Sequence, residues 1–87
     1  MSIQVEISKP IKDFEGNEVT LLTFQEPTFK DLIAMDNCSG GELEKLRTIF
    51  SSCSLYDVSE LNKMSGGDVM KVVKKLQPFL NFQEEIL

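Results

Sequence analysis

The stretch Glu26-Pro27-Thr28-Phe29-Lys30-Asp31-Leu32 constrains this chain more than any other. Before it, apolar residues alternate; after it, they recur every three or four positions. Pro27 has no N–H to give a sheet ladder and pushes Glu26 toward extended geometry, so a strand arriving over Thr20 to Phe24 must stop here. Thr28 suits a helix N-cap. Asp31, three residues on, can return its carboxylate to a free backbone N–H and also meets the positive helix end. The stretch therefore predicts a strand-to-helix corner between an N-terminal hairpin and a helical remainder.

Upstream, Ile3-Gln4-Val5-Glu6-Ile7 has the period of a half-buried strand, and Ser8-Lys9-Pro10 breaks it. Ile11 and Phe14 are expected to pack back over the hairpin. Glu15-Gly16-Asn17-Glu18 signals a turn, after which Val19 to Phe24 resumes strand composition and should pair antiparallel with the first run. This second strand is apolar on both sides. One side is expected to face helices and the other a partner, with Leu22 and Phe24 taken as the partner side. A two-stranded hairpin is not stable alone, so the rest of the chain must cover it.

Downstream, Phe29, Leu32, Ile33 and Met35 make a helical stripe ending near Asn37. Cys38-Ser39-Gly40-Gly41 is a linker, and Ser39 with Glu42 predicts a second capping box. Leu43, Leu46, Ile49, Phe50 and Cys53 give an amphipathic helix that the run Ser51-Ser52-Cys53-Ser54 weakens and ends. Asp57 with Glu60 opens a short third helix. Ser65 with Asp68 opens a fourth, where Val69, Met70, Val72, Val73, Leu76, Phe79 and Leu80 form a broad apolar stripe that Pro78 should kink or end. Met35, Met64 and Met70 read first as core fillers, with an adaptable binding surface as their other use. The expected fold is α+β in one domain over residues 1–87. An antiparallel β-hairpin (1–25) is followed by a small bundle of three to four short helices (28–80) and a tail (81–87). A chain of 87 residues buries about 60–65% of its unfolded surface, enough for one modest core.

Charge and residue usage narrow the function. Fourteen acidic against nine basic residues leave a net charge of −5, the wrong sign for tracking nucleic-acid phosphates. Lys71, Lys74 and Lys75 fall on the polar side of the fourth helix. No apolar run approaches the roughly 18–20 residues that cross a bilayer, and the first residues lack a basic flank with an apolar run, so a soluble cytoplasmic chain is expected. With no His, the commonest general base is missing and Cys38 and Cys53 cannot complete an ordinary zinc set; they read as free thiols. Ser39-Gly40-Gly41 and Ser65-Gly66-Gly67 read as helix entries, since neither continues as a phosphate-loop fingerprint. Asp57, Glu60 and Asp68 lack calcium-loop spacing, and helix capping explains each of them. The sequence thus points away from an enzyme, a metal and a cofactor.

What remains is surface for recognition. Phe79, Leu80, Phe82, Ile86 and Leu87 concentrate apolar content in the last nine residues, beyond a proline. Such a tail either folds back over the fourth helix to complete a small core or offers a sticky edge to a partner. Together with Leu22 and Phe24 it supplies the candidate partner-binding residues.

The Gly-Asn turn before Val19-Thr20-Leu21, the run Glu26 to Leu32, and the late Leu61, Asp68, Val69 and Phe79-Leu80 together resemble the tail assembly chaperones of long-tailed bacteriophages. The likeness covers about residues 3 to 80 and is nearest to the small family of Mu-like and P2-like contractile-tailed phages and prophages. The resemblance implies a non-enzymatic factor in the cytoplasm of the bacterial host that is absent from the mature virion; a homo-oligomer is expected separately, since oligomerisation would serve both stability and binding in so small an apolar-rich chain. Its partners would be the tape measure protein, kept soluble, and the tail tube protein that polymerises around it. Many such chaperones also exist in a longer, frameshifted form. Two other classes fit the composition: a carrier protein, which would need an Asp-Ser-Leu attachment triplet that is missing, and a small acidic inhibitor or antitoxin-like module whose binding would be salt-sensitive.

Overall fold

The computed structural model describes residues 2–80. Two strands, β1 (Ser2–Lys12) and β2 (Glu18–Gln25), precede four helices: α1 (Phe29–Asn37), α2 (Glu42–Ser52), α3 (Val58–Leu61) and α4 (Gly66–Leu76). A single 3-10 turn over Gln77–Phe79 follows α4, where Pro78 ends the α-helical ladder. This is the expected α+β fold.

The strands form a two-stranded antiparallel sheet in which Ile3 stands opposite Phe24, and Val5 opposite Leu22. Those residues share the face that meets the helices. Ser8-Lys9-Pro10 does not end β1 as expected, but it does break the register. Glu6 pairs with Leu21 and Ile11 with Val19, so the four residues Ile7 to Pro10 stand where β2 has only Thr20. A bulge of this kind twists and re-aims the strand, and here Ile11 is buried beyond it, only 2% exposed. At the hairpin end Asp13 organises the turn. Its carboxylate accepts the N–H of Glu15 and Asn17, and Gly16 takes φ 86°, a left-handed conformation that glycine adopts without a Cβ penalty. Phe14, at this tip, projects into solvent instead of packing back.

The corner after β2 forms as the sequence dictates. Thr28 Oγ1 accepts the Asp31 N–H, and the Asp31 carboxylate accepts the Thr28 N–H at 2.9 Å, a complete capping box. Helix α2 begins differently: Gly41, not Ser39, is its N-cap, with no side-chain bond. Lys45 of α2 reaches back and donates to the Cys38 carbonyl at 2.7 Å, supplying at the C-terminus of α1 the cation that α1 lacks in its own last turn. That bond fixes the turn between the two helices.

The core lies between the sheet face and the helices. Leu22 and Phe24 from β2 are completely buried with Ile49 and Phe50 of α2 and Val72 and Leu76 of α4. The Phe24 ring lies 5.8 Å from that of Phe50 and 5.9 Å, edge-on, from that of Tyr56. Leu22 and Phe24 are therefore structural, correcting the expectation that they face a partner. Alternation fixes which residues share a face but not which face the helices cover, and the helices cover this one. The outward side of β2 carries Leu21, about half exposed.

Candidate functional site

Helix α2 packs mainly on α1 and α3, whereas α4 packs mainly on β1. The space between α2 and α4 is a groove of about 600 Å³ with mostly apolar walls. Leu43, Leu46 and Phe50 recur on α2 at helical spacing and form one wall, Val69 and Met70 of α4 form the other, and Leu61 and Met64 line it from α3 and the turn that follows. Leu43 is 71% exposed and Met70 52% exposed, while Phe50, Leu61 and Met64 are buried. Arg47 and Glu44 stand on the α2 rim, and Arg47 donates to the Asn62 side chain at 2.9 Å across one end. The groove is thus a buried apolar floor between two exposed apolar lips.

What holds the groove open is a set of polar contacts behind it. Asp68, in the first turn of α4, is 1% exposed, and its carboxylate accepts the backbone N–H of Ser8 at 3.0 Å and of Lys9 at 3.1 Å. These are donors of the bulge in β1. The Ser8 hydroxyl also donates to it. The Ser8 N–H, opposed by burial and aided by Lys9, Ser65 and the Ser8 hydroxyl, holds the Asp68 carboxyl at about 2. Glu60 of α3 accepts the Lys12 N–H at 2.9 Å and pairs with Lys63, which lowers its carboxyl first through Lys63 and then through Lys12. Capping alone was expected to account for these acids. It accounts for Asp57, which accepts the Ser59 N–H, but Glu60 and Asp68 direct their carboxylates to β1. Both contacts tie α3 and α4 to the strand and so set their distance from α2.

A second hollow of about 490 Å³ lies at the corner, between the hairpin tip and the end of α2. Its buried polar groups already have partners. Asp31 takes Thr28 and the Ser52 hydroxyl, and the Tyr56 oxygen accepts the Thr23 N–H at 2.9 Å. Burial alone would raise the Asp31 carboxyl, but the hydrogen bonds from Ser52 and Thr28 and the charge of Lys30 bring it below its ordinary value. Cys53 beside it is pushed up to about 11 by burial and by the Asp31 charge. Among the described residues no buried side-chain polar atom lacks a partner, and no group of three or more His, Cys, Asp or Glu is placed to hold a metal. No helix of the described chain is long and apolar enough to cross a membrane. The groove between α2 and α4 is consequently the candidate site, and it is built for contact with apolar surface.

A family model of phage tail assembly chaperone proteins, described as E, or 41 or 14, matches residues 4–81. The chain belongs to that family. The match takes in β1 from Gln4 onward, β2, all four helices and the groove. Neither a curated protein nor a solved structure matches the chain.

The groove in this tail assembly chaperone differs from the surface the sequence suggested. Leu22 and Phe24 are in the core, and Phe79 and Leu80 are half-buried against it, beside α4. Phe82, Ile86 and Leu87 lie outside the described residues. Leu43 and Met70 were absorbed into helical stripes assigned to the core. Helix α2 buries only Ile49 and Phe50 within its bounds, and α1 leaves Phe29 and Ile33 exposed. The signal that could have found them is width: these stripes hold more apolar residues than one small core can enclose.

Proposed function

We propose that this family member holds the tape measure protein of its phage in the groove between α2 and α4, keeping it soluble until the tail tube polymerises. The observation that carries the reading is the exposure of Leu43 and Met70 over a buried apolar floor. An extended helical client exposes an apolar stripe at spacings of three and four, and a cleft between two helices receives such a stripe as helix-in-groove complexes do. Methionine suits this task because its unbranched thioether adapts to side chains of different shape along a long client. The net charge of −5 favours solubility of the loaded chaperone. Release follows when tail tube subunits compete for the same apolar stripe, which leaves the chaperone in the host cytoplasm and out of the virion.

Co-expression with the tape measure protein, followed by size-exclusion chromatography with light scattering at low and high salt, tests the proposal. A soluble complex that persists at high salt and is lost on Leu43→Asp supports it. A client that stays insoluble overturns it, and so does binding that vanishes with salt but ignores Leu43→Asp, which would instead fit an acidic inhibitor. Truncation after Leu80 in the same assay measures what Phe82, Ile86 and Leu87 add to client binding.

A further inference from the structure

The edges of the sheet carry an unequal burden of free backbone groups. On β2 the Thr23 N–H donates to the Tyr56 oxygen and the Gln25 N–H to the Cys53 carbonyl, so these amides point away from β1. In an antiparallel ladder that alternation makes Val5 with Leu22, and Ile3 with Phe24, the hydrogen-bonded pairs. Ser2, Gln4 and Glu6 of β1 then direct their N–H and C=O groups outward. Further along β1 the edge is closed: Ser8 and Lys9 donate to Asp68, Lys12 donates to Glu60, and Pro10 has no N–H at all. Among the described residues nothing closes the segment Ser2 to Glu6, and Ser2, Gln4 and Glu6 are all exposed.

We infer that this open segment pairs with the same segment of a second copy, joining two hairpins into one four-stranded antiparallel sheet. Natural edges are usually blunted by lysine, proline or a bulge, and here those devices begin only at Ser8. The sequence Ser2-Ile3-Gln4-Val5-Glu6 is also self-complementary about Gln4. A two-fold axis through Gln4 sets Gln4 against its own copy and Ser2 against Glu6, and all three are outward-facing, hydrogen-bonding positions. Moving the axis to Glu6 would oppose two carboxylates, moving it to Val5 would set Ser2 against Ser8, whose N–H already donates to Asp68, and moving it to Ile3 would pair only Ser2, Ile3 and Gln4 within the segment. In the Gln4 register Ile3 meets Val5 of the other copy on the helix side. Ile3 is the one residue of the Ile3, Val5, Ile7 face that is not fully buried, so the pairing covers what the single chain leaves open. A two-fold normal to the sheet puts the helices of both copies on one side, and no residue of Ser2 to Glu6 lines the groove between α2 and α4. Self-pairing thus uses none of the residues that line the client site.

Light scattering over a concentration series, with circular dichroism on each variant, tests the inference. The chain is expected to move from one to two chain masses as concentration rises. Gln4→Pro should hold it at one chain mass with its fold intact, since proline is tolerated at a strand position whose N–H points outward. In a Cys38→Ser background, Gln4→Cys should cross-link under mild oxidation at least about 10-fold faster than Ser2→Cys, because only position 4 faces its own copy at about 5.5 Å between Cα atoms. A chain that stays monomeric at all concentrations overturns the inference. A dimer that survives Gln4→Pro, or equal cross-linking at positions 2 and 4, also overturns it.

Discussion

The Asp68 carboxylate, sixty positions along the chain from Ser8, accepts the Ser8 backbone N–H at 3.0 Å. The Lys9 N–H joins it at 3.1 Å. The bulge leaves both donors without a strand partner, and a hydrogen bond to a charged acceptor contributes more than one between neutral groups. Asp68→Ala is therefore expected to lower the melting temperature by roughly 5–10 °C. Asp68→Asn should fall in between, because its amide group keeps one acceptor but sets an NH₂ against the other donor. Thermal melts of the two variants beside the parent chain check the order.

The same contact predicts a pH dependence. The folded chain holds the Asp68 carboxyl at about 2 against an ordinary value of 3.8, so the unfolded chain binds this proton more readily. A depressed carboxyl contributes fully above the unfolded value and loses its contribution as the pH falls from about 4 to about 2. Urea midpoints measured from pH 5 down to pH 2 should fall steeply in the parent chain and less steeply in Asp68→Asn. Some slope remains in the variant, because hydrogen bonds also lower Asp31, Asp57 and Glu60.

The two cysteines should react very differently. Burial and the Asp31 charge push Cys53 up to about 11, and its side chain lies in the core. Cys38 is only partly covered, and its thiol is lowered by the Thr48 hydroxyl and the Gly40 N–H. At neutral pH a disulfide reagent is expected to label Cys38 first and Cys53 at least about 100-fold more slowly, until denaturant is added. Cys38→Ser should leave the native chain almost unreactive.

Phe24 offers a contrast between what a strand pattern implies and what packing decides. The sequence marked Leu22 and Phe24 as one apolar side of β2, correctly, but period-two alternation carries no information about which side the helices occupy. Phe24 is fully buried against Phe50 and Tyr56, so Phe24→Ala should cost about 3–5 kcal/mol, close to unfolding so small a chain. Urea denaturation checks this, and any loss of client binding in Phe24→Ala should track the loss of fold.

Local chemistry made much of the fold legible. The Thr28–Asp31 capping box, the Gly16 turn and the break at Pro78 each rest on interactions within a few residues, and each formed where the sequence placed it. Contacts between distant residues were illegible for the same reason. Nothing near Asp68 or Glu60 in sequence shows that their carboxylates satisfy strand amides, and capping was a sufficient local account of both. The groove was hidden differently. Leu43 and Leu46 share a helical stripe with the buried Phe50, and only the position of α4, pinned by Asp68, decides that the stripe ends in an open lip.

That dependence on α4 separates two ways of damaging the site. Leu43→Asp and Met70→Asp place a charge on an exposed lip without removing core volume, so the melting temperature should stay within about 3 °C of the parent. Client binding should nevertheless weaken at least about 10-fold, since each charge must lose its water when an apolar stripe docks. Asp68→Ala leaves the lips chemically intact but releases α4 from β1, and is expected to weaken binding and lower stability together. Measuring affinity and melting temperature on all three variants distinguishes the cases. Lip variants that bind normally would remove the groove from the client site, even with Asp68→Ala impaired.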